Sequence, residues 1–199
     1  KGNIEVRLNT EATPGVVKKA NPDVLIVAVG STSKTLSVPG ADKASVATGT
    51  EVLLGTRQAG PEVVVVGGGS VGAETALYAA EELKKRVTIV EMLDDILIDH
   101  EILNKTILLE RLQAAGVAIR TGWMLREVTN KGVICEDKNG QMHEIAADTV
   151  ALCMGFTARR DTADQFKGLA PEVYAIGDCV EARRIYSAIE DAWRVVLKT

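Results

Sequence analysis

Glu62-Val63-Val64-Val65-Val66-Gly67-Gly68-Gly69-Ser70-Val71-Gly72-Ala73-Glu74 is the stretch on which the reading of the chain turns. Val63–Val66 is a short, wholly apolar, β-branched run, the pattern of a fully buried strand. Gly67, Gly69 and Gly72 follow at once with the spacing G-x-G-x-x-G. Ala73–Lys85 is rich in Ala, Leu, Glu and Lys and has no Gly or Pro, so it reads as a helix. Strand, glycine turn and helix in succession are the context in which this spacing marks a dinucleotide site. Gly67 would permit the tight turn, Gly69 would let the backbone lie against a pyrophosphate, and Gly72 would let the helix pack close to the strand. The helix N-terminus would offer the phosphates free N–H groups and a positive dipole end. The plainer alternative is a glycine turn that serves packing alone.

Arg86–Met92 (RVTIVEM) reads as the next strand. Its Glu91 stands 19 residues past Gly72, where a carboxylate can accept hydrogen bonds from an adenosine ribose. Met92, Leu93, Asp94 and Asp95 follow. Carboxylates there would repel a 2′-phosphate, so NADH is expected over NADPH. Lys84, Lys85 and Arg86 precede the strand and read as a solvated helix end that complements the dipole.

Outward from this unit, strands and helices alternate. Asn3–Leu8 alternates polar and apolar, a strand signal, and Thr10–Ala20 reads as a helix with Pro14 in its first turn. Val24–Val29 is a buried strand ending at Gly30-Ser31, Ser37–Gly40 is turn-like, and Ala47–Leu54 reads as a short helix. Beyond Glu91, Asp99–Ala115 reads as an amphipathic helix. Ile102, Leu103, Ile107, Leu108 and Leu112 recur at helical spacing, and the helix stops at Gly116. Val117–Thr121 is the next strand, and the alternation predicts a parallel sheet. Leu125–Thr129, Gly132–Glu136 and Gln141–Ile145 are short runs with Asn139-Gly140 between the last two, which predicts a small antiparallel excursion. Asp148–Met154 returns as a buried strand ending at Gly155, and Pro171–Asp178 is a further strand ending in Gly177-Asp178. Ala182–Lys198 closes the chain as a helix, with Ile185, Ala188, Ile189, Ala192, Val195 and Val196 on or near one face. Gly30, Gly155 and Gly177 share a position at the carboxyl end of a strand, where open α/β sheets bind ligands; each could equally be a turn glycine.

The 199 residues suffice for one large domain or two small ones. Apolar residues make up 46% and charged ones 25%, an ordinary globular balance. No apolar run approaches the roughly 20 residues of a membrane span, and Lys1–Thr10 lacks the apolar core of a secretory leader. A net charge of −4 argues against a nucleic-acid partner. Cys135, Cys153 and Cys179 are scattered and contain no C-x-x-C, which points to the cytoplasm, to small buried side chains, and away from a disulfide framework or a metal cluster. His100 and His143 lack ligand-spaced partners and read as surface or structural residues. Asp94, Asp95 and Asp99 read as a solvated acidic loop with Asp99 as a helix cap, and Trp123 and Trp193 as packing residues.

Together these motifs resemble the two-dinucleotide-binding-domain flavoproteins, in which an NAD(P)H domain is inserted into an FAD domain. The insert would carry Gly67 to Glu74 as its G-x-G-x-x-G-x-E, and the FAD domain would resume at Tyr174-Ala175-Ile176-Gly177-Asp178. Val24–Ser31 and Met154-Gly155-Phe156 look like the two crossovers. The tail Val173–Ala192 is most similar to the C-terminal part of the 2,4-dienoyl-CoA reductase and trimethylamine dehydrogenase group of NADH:flavin oxidoreductases, relatives of old yellow enzyme.

The resemblance implies an α/β fold. A Rossmann-like NAD(P)-binding insert with the antiparallel excursion would occupy residues 57–152. An incomplete FAD-type domain would be built from 1–56 and 153–199. It implies that Gly67, Gly69, Ser70, Val71 and Gly72 meet the nicotinamide dinucleotide's pyrophosphate and that Glu91 meets its ribose. Glu74 and Gly155 would lie near the nicotinamide, and Gly30, Gly177 and Asp178 near a flavin. The group's FMN, four-iron cluster and first FAD glycine turn would belong to an upstream barrel and FAD half-domain of a longer parent chain, of which this chain would be a fragment. Hydride transfer between a nicotinamide and a flavin needs stacked rings and excluded water, so no catalytic side chain and no metal ligand is expected. A different reading is a module that binds NAD or ADP without turnover.

Overall fold

The computed structural model describes residues 4–98 and 100–198. In chain order these form α1 (Pro14–Ala20), β1 (Val24–Val27), β2 (Ser31–Ser33), β3 (Val46–Thr48), α2 (Gly49–Leu53), β4 (Glu62–Val66), α3 (Ser70–Glu81), β5 (Arg86–Glu91) and α4 (Ile102–Ala114). There follow β6 (Ala118–Thr121), β7 (Met124–Val128), β8 (Gly132–Glu136), β9 (Met142–Ala146), β10 (Thr149–Leu152), β11 (Phe156–Ala158), α5 (Arg160–Asp164), β12 (Glu172–Ala175) and α6 (Ile185–Val196). Two compact units result: Ser33–Gly155, and the residues up to Thr32 together with those from Phe156 onward.

The first unit is built on a parallel five-stranded sheet in the order β3-β10-β4-β5-β6. Successive valines of β4 face opposite sides, and both sides are buried. Val63 and Val65 join Ile89 and Ala151 against Ala73, Ala76 and Leu77 of α3 and Leu112 of α4. Val64 and Val66 join Val90, Val150 and Leu152 against Leu125, Val128 and Val133 of the antiparallel β7-β8-β9 sheet. A strand covered on both faces must be apolar throughout, which is why four consecutive valines stand here. In the second unit β1 and β12 pair in parallel, Val24 beside Glu172 and Val27 beside Ala175, and β2 pairs with β11.

The α/β class, the parallel sheet and the antiparallel excursion agree with the sequence reading, and several local expectations do not. Ile4–Leu8 forms no strand; it is exposed and has no pairing partner among the described residues, and Asn3 lies outside them. The first helix begins at Pro14, not Thr10, because Thr13 caps it by accepting from the Val16 N–H. Val46–Thr48 is a strand beside β10, and only Gly49–Leu53 of the expected Ala47–Leu54 helix is helical, started by a capping box between Thr48 and Glu51. That strand places residues 33–56 with the nucleotide-type unit, whereas the sequence reading grouped them with the outer segments. Helix α3 starts at Ser70 and takes Gly72 into its first turn. Asp99, the expected cap of α4, lies outside the described residues; Glu101 occupies the N-cap position.

Candidate functional site

The three glycines of the fingerprint have different reasons to be glycine. Gly67 has φ +107°, and a Cβ there would lie 2.4 Å from the Cys153 carbonyl oxygen. A Cβ on Gly72 would lie 1.8 Å from the Gly67 carbonyl oxygen. These two are imposed by the fold itself. Gly69 is not: its φ is −72°, ordinary for any residue, and a Cβ there would meet nothing within 4 Å. Gly69 is also the N-cap of α3, and no side chain caps the helix there. The first-turn amides of α3 therefore face the open side of the turn without an intrahelical acceptor.

Glu91 ends β5 beside this turn and is only 9% exposed. Its Oε2 accepts from the Gly68 N–H at 2.6 Å and its Oε1 from the Leu93 N–H at 2.8 Å. The carboxylate thus clamps the glycine turn to the loop after β5, a role its spacing alone did not reveal. A carboxylate has about four acceptor positions, so two remain for a ligand. Gly67, Gly69, Glu91, Met92, Trp123 and Gly155 line one largely apolar cleft of about 520 Å³. The sheet order explains the gathering: β10, β4, β5 and β6 run parallel side by side, so the loops after them share one edge.

Ser70 and Val71 open α3 at this edge. The Ser70 hydroxyl lies 2.6 Å from His100 Nε2, so His100 is tied to the turn rather than standing free. Glu74, expected beside the nicotinamide, is exposed on α3 and does not line the cleft. Asp94 is ion-paired with Lys138 and Asp95 with Lys105. The hydrogen bond from Lys105 holds the Asp95 carboxyl below its ordinary range.

The three cysteines are free and buried, as expected. Burial pushes the Cys135 and Cys153 thiols up to about 11, so neither is a ready nucleophile. Trp193 is 63% exposed, not packed. Trp123 does pack, but it also lines the cleft, which its place just after the carboxyl end of β6 could have signalled. Its ring stacks on His143, with centroids 4.2 Å apart and planes at 20°.

In the other unit, Gly30, Gly177 and Asp178 line a cleft of about 510 Å³ with Ile176, Arg183 and Ile189. Asp178 accepts from the Ser31 hydroxyl and from the Arg183 N–H, both at 3.3 Å. The Gly177 N–H donates to Asp191 Oδ2 at 3.1 Å. Gly30, Gly155 and Gly177 all have positive φ, so turn geometry alone accounts for glycine there. Among the described residues no cluster of His, Cys, Asp or Glu is placed to hold a metal ion, and no helix is long and apolar enough to cross a membrane.

An open glycine turn at a helix N-terminus, an acid at the end of the next strand and a cleft along the carboxyl edge of a parallel sheet define a dinucleotide-binding unit. The profile of the pyridine nucleotide-disulphide oxidoreductase family matches residues 2–194, and the chain belongs to that family. It is 30% identical over 197 residues to a cinnamate reductase of Clostridium sporogenes, covering 96% of this chain and 29% of that protein. It is 34% identical over 200 residues to an NADH oxidase of Thermoanaerobacter brockii, covering 98% and 31%. The solved structure of a 2-naphthoyl-CoA reductase with 2-naphthoyl-CoA superposes with a TM-score of 0.94 at 32% identity, covering 98% of this chain and 30% of that one. The chain thus spans about three-tenths of the length of these three relatives. The expected resemblance to pyridine-nucleotide flavoproteins is borne out at the level of the family, whose members are oxidoreductases that use a pyridine nucleotide and FAD.

Proposed function

We propose that the Ser33–Gly155 unit binds a nicotinamide dinucleotide, NADH in preference to NADPH, as the entry point for electrons in a longer flavin-dependent reductase. The observation that carries this reading is Gly69. The fold leaves room for a side chain there and asks for no special backbone conformation, and a pyrophosphate lying against the backbone would account for glycine at this position. The open α3 amides would hold a pyrophosphate, with Ser70, Val71 and Gly72 supplying the donors. Glu91 would accept from the adenosine ribose with its remaining lone pairs. A 2′-phosphate beside that carboxylate would cost about 1 kcal/mol or more, which favours NADH.

The cleft of Gly30, Gly177 and Asp178 fits part of a flavin site, with Asp178 as acceptor for a ribityl hydroxyl. Bound there with help from residues beyond this chain, FAD would supply the acceptor for hydride. The chain's own residues bind, orient and exclude water; none needs to move a proton. Onward transfer through FMN and a four-iron cluster to an enoyl or dienoyl substrate would fall to an upstream barrel of the parent.

Calorimetric titration with NADH of the wild type and of Gly69→Val tests the reading. The wild type should bind one equivalent. The variant should fold, losing no more than about 1 kcal/mol for the poorer cap, and should show no binding. A variant that binds as the wild type does would show that the pyrophosphate lies elsewhere.

A further inference from the structure

We propose that Trp123 is the stacking platform for the purine ring of the dinucleotide and that His143 is the positioning residue that fixes its indole. The inference rests on the nucleotide reading of the cleft and adds which group it grips at one end. The sheet order sets the direction. The glycine turn follows the middle strand, β4; Gly155 follows β10 on one side, and Glu91 ends β5 on the other, with β6 beyond. With the pyrophosphate at Gly69 and the adenosine ribose at Glu91, the base extends toward the end of β6.

Trp123 stands there. Its backbone N–H donates to the Glu91 carbonyl at 2.9 Å, and the preceding Gly122 N–H donates to the Leu93 carbonyl at 2.7 Å. These two bonds tie the aromatic residue to the loop that carries the ribose acceptor. Trp123 lines the nucleotide cleft and also a neighbouring one that contains Arg120 and His143; His143 lines only the second. The imidazole stacked on Trp123 is held in turn by Asp137, with Nε2 2.9 Å from Oδ2. Asp137 Oδ1 accepts from the Asn139 and Gln141 N–H groups of the β8–β9 turn. Arg120 lies 6.0 Å from the indole centroid. The stacked, hydrogen-bonded imidazole holds the indole in place at the border of the open apolar cleft. A rigid indole beside a ribose acceptor is suited to a flat heteroaromatic base.

The test separates the two halves of the ligand. ADP carries the purine, and nicotinamide mononucleotide does not. In a Trp193→Phe background, saturating ADP should quench the emission of Trp123. Calorimetry should show ADP affinity falling roughly ten-fold in Trp123→Leu, the scale of one lost base–aromatic stack, and less in Trp123→Phe. His143→Leu should lower ADP affinity in the same direction while leaving that for nicotinamide mononucleotide unchanged, a split that general destabilisation would not produce. Unchanged ADP affinity in Trp123→Leu would overturn the proposal. Should that variant fail to fold, absence of ADP quenching in the Trp193→Phe chain would overturn it instead. Wild-type chain that binds ADP while Gly69→Val binds it equally would sink the pyrophosphate assignment and leave the Trp123 result standing by itself. A wild type that binds neither ADP nor NADH would end both.

Discussion

Gly72, Gly69 and Glu91 show how one motif mixes folding and binding demands. Gly72→Ala would drive a methyl group into the Gly67 carbonyl, a collision between backbone segments that cannot easily relax. We expect it to cost about 3 kcal/mol or more in urea denaturation, against the small loss expected for Gly69→Val. Equal losses in the two variants would refute the distinction. Glu91→Ala should lower stability by about 2–4 kcal/mol, because it removes charged acceptors from the buried Gly68 amide and from the Leu93 amide. It should weaken NADH binding as well, whereas Glu91→Gln, which keeps one acceptor oxygen, should recover part of both. A stable Glu91→Ala with unchanged NADH affinity would contradict both roles. The position of Glu91 was legible from its spacing to Gly72. Its bonds to Gly68 and Leu93 were not, because they depend on how the loop after β5 folds back. Ser70 with His100, and Trp123 with His143, were hidden for the same reason: each joins residues distant in sequence.

Among the elements, long apolar-periodic segments were readable and what covers them was not. The apolar row of α6 is real and that of α4 weak, and Ile102 is 84% and Ile185 81% exposed, with only Leu112 and Val195 of the two helices buried. Periodicity reports that a helix has an apolar face, not that this chain buries it. Trp193→Lys, on α6, should therefore change the stability of this chain by less than about 0.5 kcal/mol; a loss of several kcal/mol would mean the face is covered. Strands β2 and β3 went unseen because three residues are too few to show a period. The β8–β9 turn makes a pH prediction. The hydrogen bond from His143, then those from the Gln141 and Asn139 amides, hold the Asp137 carboxyl below its ordinary range. A depressed carboxyl stabilises the fold above its unfolded value, about 3.9, and that contribution is lost as pH falls through the lowered value. Asp137→Asn should therefore be less stable than wild type at pH 7, with the gap closing on acidification below pH 4. A gap that stays constant down to pH 3 would show that Asp137 contributes nothing through its charge.

For the molecule, the order of strong strands and one glycine turn was enough to reach the class and the parallel sheet, whereas the family came from the resemblance of four motifs, Val24–Ser31, Gly67 to Glu74, Met154-Gly155-Phe156 and Tyr174 to Asp178. The first boundary was less legible: β3 pairs with β10, about a hundred residues away, and only that pairing draws residues 33–56 into the unit with the nucleotide cleft. Apolar strand runs survive any context and so can be read locally. Unit membership is decided by long-range pairing and cannot. We propose that a dinucleotide lies along the carboxyl edge of β10, β4, β5 and β6, with its pyrophosphate on Gly69. A crystal structure of the chain grown with saturating NADH tests this most directly. Density should run from Trp123 past Glu91 to the α3 N-terminus, with a phosphate against the Gly69 backbone. Density for NADH at any other place on the chain, with the Gly69 turn empty, would contradict it.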